Sequence, residues 1–423
     1  SAITDGKPMK AIPDAPGQFE AYGQRQRPPC KKGKDPMKSK AAVLRGVGVD
    51  WEVTEIELDP PHAGEVLVKM AYAGICHSDE HFYTGDSVPS PEMEEAMRAS
   101  GIPVPEWFPM LGGHEGSGIV EEVGPQVRSL APGDHVAISF FPACGTCRWC
   151  ATGYTYLCDV GANIYDKAMT TDGTRRRHLG DEDLMAMMQV GTFSEYVVAS
   201  ERSLVKVNDW IPLEAASLVS CGVTTGFGSG SVAAGTQPGD TVVVVGVGGI
   251  GMNAVQGARI AGAKHIVAVD PNEFKRQTAP GFGATHTVAD AGAALELVKE
   301  ITWGVMADRV ILAPGVVPPD LILTAMMLLR KGGTCVLTGM AKISDMMVPL
   351  ILPDMVSSCK TLKGVLYGEM NPREAMPRLL SMYEAGTLKL DELITQKYKL
   401  DDINEAMRDL RAGRNIRGVI AFG

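Results

Sequence analysis

A chain of 423 residues with 45% hydrophobic content is long enough for two packed cores and too long for one of ordinary size. Its formal charge of -10 argues against a general polyanion binder, since phosphate contacts need clustered Lys and Arg, so nucleic acid is not an expected partner. The longest apolar stretch, 241–258, is broken by Gly246, Gly248, Gly249, Gly251 and Gly257; it reads as a strand and turn, so no membrane span and a cytoplasmic location are expected.

Residues 1–37 mix lysines with prolines and glycines and show almost no apolar periodicity. They read as a mobile arm, with neither a signal nor a transit peptide in them. From 41 onward short apolar runs such as 41–44 and 66–71, punctuated by Gly and Pro, predict a strand-rich domain. Cys76, His77, Ser78, Asp79 and His81 follow in a turn, and within 87–107 the stretch 91–98 predicts a short amphipathic helix between proline-rich ends. Gly112, Gly113, His114 and Glu115 come next, then Phe140 and four cysteines, then Cys221. A β-branched run at 241–245 predicts a buried parallel strand, and the glycines after it lead into a helical pattern over 252–261. A second strand over 265–269 ends in Asp270, and alternating strand and helix patterns continue through 334–338.

Three constellations carry chemistry. Cys144, Cys147, Cys150 and Cys158, spaced three, three and eight apart in number, can close tetrahedrally on one zinc ion, a closed site that braces a loop. A disulfide knot is the alternative, but the chain is long and its nine cysteines are not clustered in a small domain. Gly246, Gly248, Gly249, Ile250 and Gly251, between a strand and a helix, let the backbone approach a pyrophosphate that then sits on the positive helix end. Asp270 can hydrogen-bond an adenosine ribose and disfavours a 2′-phosphate, which points to NAD. Finally, Cys76 and Cys221 with His114 can hold a second zinc in three positions and leave a fourth open.

Taken together, the hexapeptide at Cys76, the Gly-His-Glu at His114, the four-cysteine loop, Cys221, the glycine fingerprint and the terminal Asn415-Ile-Arg417-Gly418 resemble the zinc-containing medium-chain alcohol dehydrogenases. The resemblance implies an α/β fold: a Rossmann doubly wound parallel sheet over 223–366, plus a strand-rich GroES-like catalytic domain over 38–222 and 367–423. It implies that Cys76, His114 and Cys221 bind a catalytic zinc and the four-cysteine loop a structural one; Cys30, Cys335 and Cys359 stay unassigned. It also implies hydride transfer between an alcohol or aldehyde and NAD, with a proton path from Ser78 through a ribose hydroxyl to His81 and solvent. Asp79 and Glu115 then modulate the zinc site. His77 and Arg417 contact the pyrophosphate, with a grip at His77 that depends on pH, Lys275 contacts a ribose, and Thr225 lies beside the nicotinamide. As bare sequence, Lys275 and Arg417 read as surface charges.

The terminal half, with Gly368-Glu-Met-Asn371-Pro372 and Asp391-Glu-Leu-Ile, is most similar to the nitrosodimethylaniline-dependent nicotinoproteins of the family, which implies a nicotinamide that stays bound between turnovers. A homo-oligomer is expected. Two other functions stay open: a thiol-adduct formaldehyde dehydrogenase, and a non-catalytic NAD-binding zinc protein acting as scaffold or redox sensor.

Overall fold

The structure, a computed structural model, describes residues 35–423. The arm read over 1–37 lies outside the described residues as far as 34, and Met37 already opens the first strand, Met37–Leu44. The apolar run at 41–44 is fully buried within it, which is why the strand forms there. Among the described residues no helix is long and apolar enough to cross a membrane.

Two sheets make up the strand-rich part. One runs in the order Glu182–Asp183, Arg177–Leu179, Glu52–Leu58, Met37–Leu44, Met110–Leu111, Met185–Ala186. The other is centred on the long strand Glu65–Gly74, which pairs antiparallel with Gly116–Val123, Tyr196–Ser200 and the near-terminal strand Arg417–Ala421. The end of the chain therefore returns to the sheet that carries the residues around Cys76.

A third sheet is parallel throughout, in the order His286–Val288, His265–Val269, Thr241–Val245, Ala307–Leu312, Leu329–Leu337, Thr361–Gly364. In chain sequence this is 3-2-1-4-5-6, the doubly wound order, and it reverses direction between Thr241–Val245 and Ala307–Leu312. Every residue of Thr241–Val245 is buried, because helices cover both faces of a parallel sheet. The helix predicted within 87–107 is present as Pro91–Ala99, capped by the Ser90 hydroxyl on the Met93 amide, and none of its residues is buried.

The helix that begins after Cys221, Gly222–Gly228, crosses the fingerprint helix, Gly249–Ile260, at backbone contact. A Cβ on Gly226 would overlap the Ile250 carbonyl oxygen, one on Gly230 the Ala254 carbonyl oxygen, and one on Gly257 that of Phe227. Three absent side chains thus set the distance between Cys221 and the nucleotide turn. Because backbone cannot move aside as a flexible side chain can, Gly226→Ala should lower stability by about 1–3 kcal/mol. Chemical denaturation of the variant beside the parent checks this.

Candidate active site

The four cysteines of the loop at 144–158 converge on one point. The sulfurs of Cys144 and Cys150 lie 4.0 Å apart and those of Cys147 and Cys158 3.9 Å apart. Four thiolates about 2.3 Å from a shared centre lie about 3.8 Å from one another, whereas a disulfide needs about 2.05 Å. The set therefore fits a tetrahedral metal and not two disulfides. Backbone amides of Thr146 and Cys147 point at the Cys144 sulfur, and those of Cys144 and Cys150 point at Cys158 and Cys147, which favours the thiolate form.

A second group, Cys76, His114, Glu115 and Cys221, offers ligand atoms all within 4.8 Å of one another, and all four residues are buried. The chain brings these distant positions together by simple means. Cys76 sits at the N-terminus of helix His77–Thr84 and Cys221 at that of Gly222–Gly228, where the helix dipole favours a thiolate. Between them His114 enters from the turn before strand Gly116–Val123, where Gly113, at φ +86, leaves no room for a side chain against Phe193. A hydrogen bond from Cys221 holds the Cys76 thiol well below its usual range. Burial opposes charge on His114, but Asp79 and Cys76 outweigh it and hold the imidazole well above its ordinary value. Asp79 lies 3.1 Å from His114 Nδ1 through one oxygen and accepts from the Gly113 amide at 2.7 Å through the other. Both ring nitrogens of His114 are buried without a hydrogen bond among the described residues, Nδ1 facing the Asp79 carboxylate and Nε2 left without one. An imidazole fixed from behind, with an orphaned nitrogen facing two sulfurs, is the donor set that zinc takes.

Glu115 turns one oxygen to the guanidinium of Arg417, 2.5 Å away, and brings the other within 4.0 Å of His114 Nε2. Burial pushes Glu115 up to about 7 in spite of Arg417. Arg417 is only 5% exposed, so its reading as a surface charge is corrected. It occupies a channel cleared by missing side chains: a Cβ on Gly74 or Gly222 would stand 2.8 or 2.9 Å from its guanidinium nitrogens, and one on Gly249 would overlap its stem.

One cavity of about 650 Å³ joins the mixed cluster to the glycine turn. Among its lining residues are Cys76, His77, Ser78, His81, His114, Cys221, Thr225, Gly246, Gly248, Gly249, Ile250, Asp270, Lys275 and Arg417. Gly251 is set back, packed beneath the turn against the Gly246 carbonyl, and Asp79 and Glu115 stand behind His114 and Arg417. The turn lies where the parallel sheet reverses order, beside Ala313 and Pro314. Asp270 is held there by the amides of Val247 (3.0 Å) and Asn272 (2.9 Å). Thr225 Oγ1 is buried without a hydrogen-bond partner among the described residues, as expected of a hydroxyl that a ligand satisfies. Burial pushes His77 down to about 4.

Ser78 Oγ lies 3.7 Å from the Cys76 sulfur, and His81, buried at 3% exposure, faces the same cavity. Phe140 meets His114 edge-on at 5.8 Å and Tyr367 at 4.3 Å. Sequence reasoning missed Tyr367, whose hydroxyl donates to the Ser220 carbonyl, and the cluster of Phe82, Trp107 and Tyr165, with ring centroids 5.5 to 6.0 Å apart. Phe82 follows His81, Tyr367 precedes Gly368 and Trp107 ends the segment 87–107, but no local pattern places any of them at the site.

The chain matches the family model "Alcohol dehydrogenase GroES-like domain" over residues 62–209 and the model "Zinc-binding dehydrogenase" over 249–385. It is 50% identical to an NDMA-dependent alcohol dehydrogenase of Amycolatopsis methanolica over 384 residues, covering 91% of this chain and 99% of the relative. It is 44% identical to alcohol dehydrogenase B of Mycobacterium tuberculosis (strain ATCC 25618 / H37Rv) over 386 residues, with 91% and 99% covered. Among solved structures, benzyl alcohol dehydrogenase from Acinetobacter calcoaceticus superposes with a TM-score of 0.80 at 28% identity, covering 92% of this chain and 100% of that one.

Two separate donor sets predict two zinc ions per chain. Elemental analysis should find about two in the parent and about one in either Cys147→Ser or Cys221→Ser. A Cys221→Ser protein that keeps both ions would contradict the assignment of that cysteine.

Proposed function

The chain belongs to the zinc-containing medium-chain alcohol dehydrogenases, and from that premise we propose that it transfers hydride between an uncharged alcohol or aldehyde and NAD. The observation that carries this reading is a single cavity in which the Cys76, His114 and Cys221 donors share one space with the glycine turn and Asp270. When bound, zinc supplies Lewis acidity toward an alcohol oxygen and NAD supplies the hydride acceptor.

The chain's own residues supply the rest. Helix Gly249–Ile260 aims its N-terminus at a pyrophosphate, and Arg417 lies alongside Gly249. Lys275, whose ammonium is 3.7 Å from where a Gly248 side chain would begin, suits a ribose or phosphate oxygen. Asp270 favours a ribose with a free 2′-hydroxyl. Thr225 meets the nicotinamide, and Ser78 and His81 take the alcohol proton away from the closed end of the cavity. Asp79 keeps His114 oriented throughout.

Around the donor set the walls are Phe82, Phe140, Tyr165, Met187 and Met188. The Lys and Arg in the whole lining are Lys275, at the glycine turn, and Arg417, already paired with Glu115. Among the described residues a thiol adduct bearing carboxylates finds no unpaired cation beside the metal donors, which favours uncharged, apolar alcohols over the thiol-adduct formaldehyde reading. Similarity to an NDMA-dependent relative supports a nicotinamide that stays bound and is reoxidised in place. Exposed Met346, Met347, Leu352 and Val356, just before the edge strand Thr361–Gly364, support self-association.

Protein purified without added cofactor should release about one NAD(H) per chain on denaturation and should oxidise apolar primary alcohols with no thiol present. Cys221→Ser should stay folded with one zinc and lose turnover. Should the parent turn over no alcohol with any acceptor, the non-catalytic reading takes its place.

A further inference from the structure

The proton path assigned above ends at His81, yet His81 is buried and the side chain it faces is a carboxylate that sequence reasoning did not single out. Asp86 Oδ2 lies 3.5 Å from His81 Nδ1. The carboxylate is fixed from two other directions and its backbone from a third. Thr84 donates its hydroxyl to the same oxygen at 2.8 Å, Lys342 lies 3.6 Å from Oδ1, and the Asp86 backbone carbonyl accepts from the Ile343 amide at 2.8 Å. Thr84 ends helix His77–Thr84 and Gly85 follows in the left-handed conformation, so the turn that delivers Asp86 back onto His81 is part of the helix stop itself. The Asp86 side chain is 15% exposed and that of Lys342 is 53% exposed, which makes the carboxylate the step between a buried ring and the surface.

Resting on the reading of this protein as an alcohol dehydrogenase, we propose that Asp86 is a positioning residue: it holds His81 with Nδ1–H directed at its carboxylate, so that Nε2 carries the lone pair that accepts the alcohol proton. The proton lost by the alcohol, relayed along the path that begins at Ser78 and leaves the Ser78 hydroxyl protonated, forms a bond to Nε2, and Nδ1–H stays donated to Asp86, whose negative charge stabilises the resulting imidazolium. The imidazolium then returns the proton to water at the mouth of the cavity, and no electron is moved in this step. A distance of 3.5 Å is long for a neutral hydrogen bond and shortens as the ring becomes positive.

The charged and titratable groups around this pair are few. His77 lies on the same helix with its ring 6.4 Å from that of His81, and Lys342 faces Asp86 from the loop after the parallel strand Leu329–Leu337. Glu80, the chain neighbour of His81, is paired to Arg411 at 3.1 Å. Burial pushes Asp86 upward, but Thr84, His81 and Lys342 together leave it below the ordinary carboxylate range.

The test is the pH profile of kcat for alcohol oxidation by the zinc-loaded protein, with Asp86→Asn and Asp86→Glu beside the parent. Removing the charge should move the acid limb of the Asn variant down by about one pH unit and lower the plateau about tenfold, with KM little changed, because a weaker base ionises at lower pH. Asp86→Glu should keep the parent profile to within a few-fold. In a His81→Gln background, Asp86→Asn should change nothing further. Independently of turnover, nitrogen spectra of the protein with labelled histidine should show His81 protonated at Nδ1 in the parent and a mixed tautomer in Asp86→Asn. An unmoved limb in an active Asn variant, full additivity with His81→Gln, or an unchanged tautomer overturns the proposal while leaving the dehydrogenase reading intact. A parent without any alcohol turnover defeats both.

Discussion

The ion pair between Arg417 and Glu115 is the interaction on which the site depends. It is buried, it ties the last strand of the catalytic sheet to the residue after His114, and it lies alongside Gly222 and Gly249, so that the metal donors and the nucleotide turn are referred to one guanidinium. Burying two charges costs several kcal/mol for each, and the geometry offsets that cost only while both partners remain. The glycines at 74, 222 and 249 follow from this constraint: each is a place where a side chain would displace the arginine.

The two cysteine sites solve different problems with the same atom. In the loop at 144–158 three cysteines are half-buried and Cys158 is buried, and amides of their own loop brace the sulfurs, so a bound metal would be enclosed and the site is local. At the mixed cluster only two sulfurs and one ring nitrogen converge, from three distant parts of the chain, and Glu115 is drawn aside by Arg417. An open coordination position can therefore be kept, because the fourth potential donor has a partner of its own.

The same economy shapes the cavity. Aromatic and methionine side chains line the cavity around the metal donors, and an apolar lining raises the worth of every charge and dipole there. The backbone seam of Gly226, Gly230 and Gly257 holds the two helix N-termini, one bearing Cys221 and one the nucleotide turn, at a separation that no larger residue permits. Rigid placement of donors relative to cofactor is what a reaction between two bound groups requires.

Whatever is written in consecutive residues could be read without coordinates. The strand at His265–Val269, the buried strand at Thr241–Val245, the glycine turn after it and the four-cysteine spacing all rest on short-range periodicity or ligand spacing, and they stand in the structure where the sequence placed them. The helix at Pro91–Ala99 was likewise legible from its proline start and apolar period. Family motifs extended that reading to Cys76, His114 and Cys221, whose convergence no local pattern encodes. What only the tertiary structure decided is which polar groups lose their water. Arg417 looks like a surface charge until Glu115 and three glycines enclose it, and Asp86 is an ordinary turn residue until the helix stop folds it onto His81. Such properties come from desolvation and from partners far apart in the chain, and those exist only once the chain is packed.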